Sequence, residues 1–99
     1  VWQNAGGLVN GGFKMTKSEF QNKLAKVNNI ANKYRWTYVS KDQKTFRISF
    51  KDELSIHRVD IYLSRMTVCL LPVGGKPVYL KRQNLEMIEG LFKNPFKYE

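Results

Sequence analysis

The sequence predicts an α+β two-layer sandwich: a helix, four or five antiparallel strands in meander order, and a closing helix, with both helices on one sheet face. Three observations predict it. A stretch near each end carries apolar residues at steps of three and four, the period of a half-buried helix. Most of the chain between them alternates apolar with polar residues, so the sheet has one face to cover and one left open. The connections are short, which favours pairing between sequence neighbours. Residues 15–99 make the single expected domain of a 99-residue chain. Residues 1–14 hold four of the seven glycines and are expected to form a flexible arm.

Thr16, Lys17, Ser18 and Glu19 spell a capping box, in which the Thr hydroxyl takes an early helical N–H and Glu19 reaches back. Phe20, Leu24, Val27, Ile30, Ala31 and Tyr34 follow as one stripe, predicting a helix over 17–34. Asn22, Lys26, Asn29 and Lys33 fall on its opposite face. Such a face is ordinarily plain solvated surface, and its near lack of acids also suits phosphate contacts.

Trp36–Ser40 is the first strand candidate, with Trp36 and Tyr38 on one face that sequence alone leaves undecided. Lys41–Lys44 reads as a turn. Thr45–Lys51 alternates, with Phe46, Ile48 and Phe50 inward and Arg47, Ser49 and Lys51 outward. Ile56–Leu71 is a 16-residue run without Gly or Pro, too long for one ordinary strand. In it Val59, Ile61 and Leu63 alternate with Arg58, Asp60, Tyr62 and Ser64. The phase slips at Ser64–Arg65, because Met66, Val68 and Leu70 are the next apolar set. Two strands joined by a tight turn or bulge near Arg65 account for the slip.

Val73-Gly74-Gly75-Lys76 predicts a hairpin turn, flanked by Pro72 and Pro77 at strand ends. Val78–Arg82 is the last strand, with Tyr79 and Lys81 outward. Asn84 is the expected N-cap of a helix carrying Leu85, Ile88, Leu91 and Phe92 and ended by Asn94-Pro95. The expected core is Phe20, Leu24, Val27, Phe46, Ile48, Phe50, Val59, Ile61, Leu63, Val68, Leu80, Leu85, Ile88 and Leu91.

Seventeen Lys and Arg against eight Asp and Glu give a net charge of +9, which points to a polyanionic partner. The excess is uneven: +5 over residues 14–35, +5 over 36–82 and −1 over 83–99. The positive field therefore belongs to the first helix and the sheet. The lone Cys69 rules out an internal disulfide and suits a packed thiol in a reducing, intracellular compartment. No apolar run approaches the roughly 18 residues of a membrane span.

Catalysis is poorly supplied. His57 is the only histidine and is expected at an exposed or edge position. Asp52 and Glu53 are adjacent in a turn, and nothing in the spacing brings two carboxylates into one pocket. Neither a phosphate-cradling glycine motif nor a metal-ligand cluster is present. The sequence therefore predicts no enzyme, no metal and no cofactor.

The helix–strands–helix order resembles that of double-stranded-RNA-binding domains. That family's basic motif opens its last helix, whereas Gln83–Glu89 here is acidic. A strand run closed by a helix is also similar to the repeat of Pur-type single-strand binders. Both are fold-level likenesses and carry over no residues.

The expected function is a small nucleic-acid-binding module, single-stranded RNA or DNA favoured. It would use an open sheet face and a basic first helix. Cations would meet phosphates and rings would stack on bases. The expected binding residues are Lys26, Lys33, Arg47, Lys51, Arg58, Tyr62, Arg65, Tyr79 and Lys81. The alternative is an assembly subunit, a homodimer or an adaptor for an acidic protein surface, using the same face.

Overall fold

The computed structural model describes residues 15–98; the arm expected over 1–14 lies outside the described residues. The element order is α1 (Lys17–Lys33), β1 (Thr37–Asp42), β2 (Arg47–Lys51), β3 (His57–Tyr62), β4 (Thr67–Pro72), β5 (Val78–Leu80) and α2 (Leu85–Lys93), then a 3₁₀ turn over Pro95–Tyr98. The five strands form one antiparallel meander in the order β1-β2-β3-β4-β5. Side chains of α1 and α2 share one buried cluster with the sheet, so both helices cover the same face.

Local sequence accounts for the helix ends. Glu19 N–H donates to Thr16 Oγ1 at 3.0 Å, and Thr16 N–H donates to Glu19 Oε1 at 2.8 Å, which closes the capping box. Asn84 caps α2 by accepting from Met87 N–H at 2.8 Å. Pro95 lacks the N–H that a further helical turn would use.

Phe20, Val27 and Ala31 of α1 and Ile88, Leu91 and Phe92 of α2 bury against Ile48, Phe50, Val59, Ile61, Val68 and Leu70 of the sheet. Burying each of the larger of these side chains contributes about 1.5–3 kcal/mol. Trp36, just ahead of β1, is 3% exposed. Its indole N–H donates to the carbonyl of Phe92 at 2.9 Å, and its ring packs edge-on to that of Phe92 at 5.0 Å. Trp36 thereby ties the α1–β1 connection to the last turn of α2. Tyr38 meets Phe50 edge-on at 6.0 Å on the same covered side.

The strand bounds differ from the sequence expectation in several places, and β5 stops at Leu80, two residues short of the expected Arg82. β1 runs on to Asp42, past the expected start of its turn, with a bulge between Tyr38 and Ser40. Phe46 falls in the β1–β2 turn at φ 55° rather than in β2, and Met66 takes the matching place in the β3–β4 turn at φ 52°. Positive φ is unfavourable for such bulky residues. Both side chains nevertheless pack against the core cluster, and Phe46 lies edge-on to Phe20 at 5.7 Å. Their carbonyls are also satisfied: Phe46 O accepts from Leu63 N–H at 2.9 Å, and Met66 O from Gln83 N–H at 2.8 Å. The turn over 63–66 is the physical cause of the phase slip seen in the sequence.

Leu85 does not join the core; it is 36% exposed at the first turn of α2. Leu24, Phe46 and Leu80 are half-buried. Trp36, Leu70, Ala31 and Phe92 complete the core in their stead. The β4–β5 turn places Gly74 at φ 76°, as the Gly-Gly pair predicts.

His57 is the sharpest correction. It is 1% exposed, not an exposed or edge histidine. Asp52 holds it from the β2–β3 turn, with Oδ2 3.0 Å from His57 Nδ1 and 3.1 Å from its backbone N. The Phe96 ring packs edge-on at 4.7 Å, because the C-terminal 3₁₀ turn folds back over the end of β3.

Candidate nucleic-acid interface

The cross-strand registers arrange the open face in rows. Arg47, Tyr62 and Thr67 stand side by side, then Ser49, Asp60, Cys69 and Tyr79, then Lys51, Arg58 and Leu71. Lys81 follows Leu80, the partner of Val68, and so comes level with Thr67.

The middle row closes on itself. Ser49 Oγ donates to Asp60 Oδ1 at 2.6 Å, and Arg47 donates to Ser49 Oγ at 3.1 Å. Arg58 Nε donates to the same carboxylate oxygen at 3.4 Å. Ser49 is fully buried, and the Arg47 and Asp60 side chains are only 22% and 16% exposed. Cys69 is buried although its parity is that of the open face, and burial pushes its thiol pKa up. A hydrogen bond with that thiol holds the Tyr79 phenol above its ordinary value. The centre of the face is therefore a knitted floor in which one carboxylate answers two guanidinium groups.

One corner differs. An open depression of about 760 Å³ is lined by Tyr62, Ser64, Arg65, Thr67, Tyr79, Lys81 and Arg82. It joins the end of β3, the β3–β4 turn, the start of β4 and the exit of β5. Three of its side chains are cationic, two are phenol rings, two are small hydroxyls, and none is a carboxylate. Tyr79 is 64% exposed there. Rings of this kind stack on bases, and Arg and Lys meet phosphate oxygens.

The backbone builds this corner. Successive strand residues point to opposite faces. Lys81 and Arg82 nevertheless line the same depression, because Arg82 has φ 55° and turns the chain. Gln83 N–H to Met66 O, at 2.8 Å, fixes that turn beside the one over 63–66.

The nine residues singled out from sequence separate into three groups. Tyr62, Arg65, Tyr79 and Lys81 meet in the depression, joined by Thr67 and Arg82 and by Ser64, which alternation had put on the open face but not among the binding residues. Arg47, Arg58 and Lys51 share the face, but the first two are drawn to Asp60. Lys26 and Lys33 stand on α1, behind the covered face, and a short strand on the open face does not reach them. Lys33 Nζ bridges to Glu89 Oε2 of α2 at 2.9 Å, beside the Tyr34 hydroxyl, which donates to the same oxygen at 2.7 Å. The Lys81-Arg82 dipeptide was visible in sequence, but strict alternation assigns Arg82 to the covered side. Only the positive φ brings it round.

Among the described residues, no three His, Cys, Asp or Glu side chains lie together as a metal site would require. No helix among them is long and apolar enough to cross a membrane. Comparison with known protein families, curated proteins and solved structures finds no match for the chain.

Proposed function

We propose that the protein binds single-stranded nucleic acid on its open sheet face, with the Tyr62–Tyr79 corner as the principal contact. One observation carries this reading: two tyrosine rings and three cations line a single depression without a carboxylate among them. That combination serves bases and phosphates at once. Arg58 and Lys51 extend positive charge along the face, with Arg58 45% exposed. The reading assigns no catalytic step, cofactor or metal, and it suits an intracellular setting in which the buried Cys69 stays reduced. Titration against single- and double-stranded RNA and DNA at two salt concentrations tests it. Single strands should bind tighter than duplexes, whose stacked bases the rings cannot reach. Equal binding of duplex and single strand would leave only a general polycation.

A second reading has its own observation. At the opposite end of the sheet Leu54, Val73 and Phe96 are 76%, 75% and 62% exposed, with Ile56 among them at 37%. Val73 N–H donates to Ile56 O at 2.8 Å, and Phe96 packs on His57, so these side chains gather at one end. Apolar exposure of this kind favours a protein contact. An assembly subunit would use that end, and its mass would rise with concentration.

A further inference from the structure

We infer that the depression at the β3–β4 turn and the β5 exit receives the phosphorylated end of a nucleic-acid strand. The inference rests on the nucleic-acid reading above and narrows it to a ligand class, a terminal phosphomonoester.

On the open face Arg47 and Arg58 share one carboxylate, Asp60, whereas Lys51 stands apart at the far end of its row without one among the described residues. Among the described residues, Lys81 and Arg82 have no such partner. They are consecutive, exposed, and line one depression only because Arg82 holds φ 55°.

The charge then selects the ligand. An internal phosphate of a strand carries one negative charge. A phosphomonoester carries about −1.5 to −2 near neutral pH, with three oxygens to accept hydrogen bonds. Lys81 and Arg82 together match the monoester, and Arg65 lines the same depression. The guanidinium can take two of the oxygens at once. Ser64 and Thr67 line the depression as well and supply hydroxyl donors. A volume of about 760 Å³ lies within the usual range for sites that take compact organic ligands, so it has room for a terminal nucleotide. Tyr62 and Tyr79 also line it and offer rings for stacking.

Fluorescence anisotropy at fixed ionic strength tests this with one oligonucleotide in three forms: 5′-phosphate, 3′-phosphate, and hydroxyl at both ends. The expected result is binding at least about tenfold tighter for one phosphorylated form, the gain of charge-assisted hydrogen bonds to a dianion. Which form gains identifies the end. Lys81→Ala and Arg82→Gly should each shrink that advantage to under about threefold while the hydroxyl-ended form still binds. Glycine at 82 keeps the positive φ, so the second variant removes charge without disturbing the turn. Equal affinity for all three forms overturns the inference and leaves the broader reading standing. An advantage that survives both variants undiminished overturns its assignment to this corner. Failure of every form to bind at low salt overturns both readings.

Discussion

Ser49 donates its hydroxyl to Asp60 over 2.6 Å, and that bond anchors the middle of the open face. Asp60 also draws in Arg47 and Arg58, the two arginines that alternation alone would offer to phosphates. The carboxylate thus restrains the face it helps to build. Asp60→Asn keeps an acceptor for Ser49 and removes the charge. Affinity for single strands should rise severalfold, since a partly exposed ion pair restrains its cation by about 0.2–1 kcal/mol. The salt slope should steepen by up to about 0.7, one further phosphate contact. A fall in affinity with the fold intact would show that Asp60 positions the arginines rather than holding them back.

Ile61 is fully buried in the middle strand of the sheet, facing Ile48 on one side and Val68 on the other. Ile61→Ala should cost about 2–5 kcal/mol, because both neighbouring strands prevent the gap from closing. The shift in the urea midpoint at unchanged slope measures it. A midpoint that barely moves would contradict the burial.

Glu89 sets an acid-side prediction. Hydrogen bonds from Lys33 and then Tyr34 hold its carboxyl below the usual carboxylate range. A group depressed in the folded state stabilises above its unfolded pKa, and the stabilisation is lost as pH falls through the folded value. The protein should therefore lose more stability than its Glu89→Gln variant between roughly pH 5 and pH 3. Glu19, lowered by its capping bonds to Thr16, titrates in both proteins and cancels from the comparison. Parallel melting-temperature curves would show that the Glu89 contacts are not kept in solution. The bridge is solvent-exposed, so the difference should be small.

Much of the fold was legible because burial and alternation agree over β2 and β3, and because Thr16 and Asn84 mark both helix starts. Tyr38 was ambiguous for a physical reason: the bulge beside it breaks the parity that would have assigned its face. Phe46 reads as a strand residue because side-chain pattern does not report φ. The candidate site was legible only in Tyr62 and Tyr79 of the strands, Lys81 just past β5 and Arg65 of the turn. Arg82 depends on a left-handed backbone. The restraint on Arg47 depends on a register that brings Asp60 beside Ser49. The burial of His57 depends on Phe96 returning from the far end of the chain, a contact between residues 39 positions apart.

The most direct test of single-strand binding at the tyrosine-lined corner compares Tyr79→Ala with Lys81→Ala across a salt series. Three to five phosphate contacts on one small sheet predict a log–log slope of about −2 to −3.5 for the unaltered protein. Tyr79→Ala should weaken binding by about 1–3 kcal/mol and leave that slope unchanged, because it removes a stacking surface and no charge. Lys81→Ala should weaken binding and flatten the slope by somewhat under one unit. Tyr79→Ala and Lys81→Ala binding as tightly as the unaltered protein, with the same slope, would contradict the account and place the partner elsewhere on the molecule.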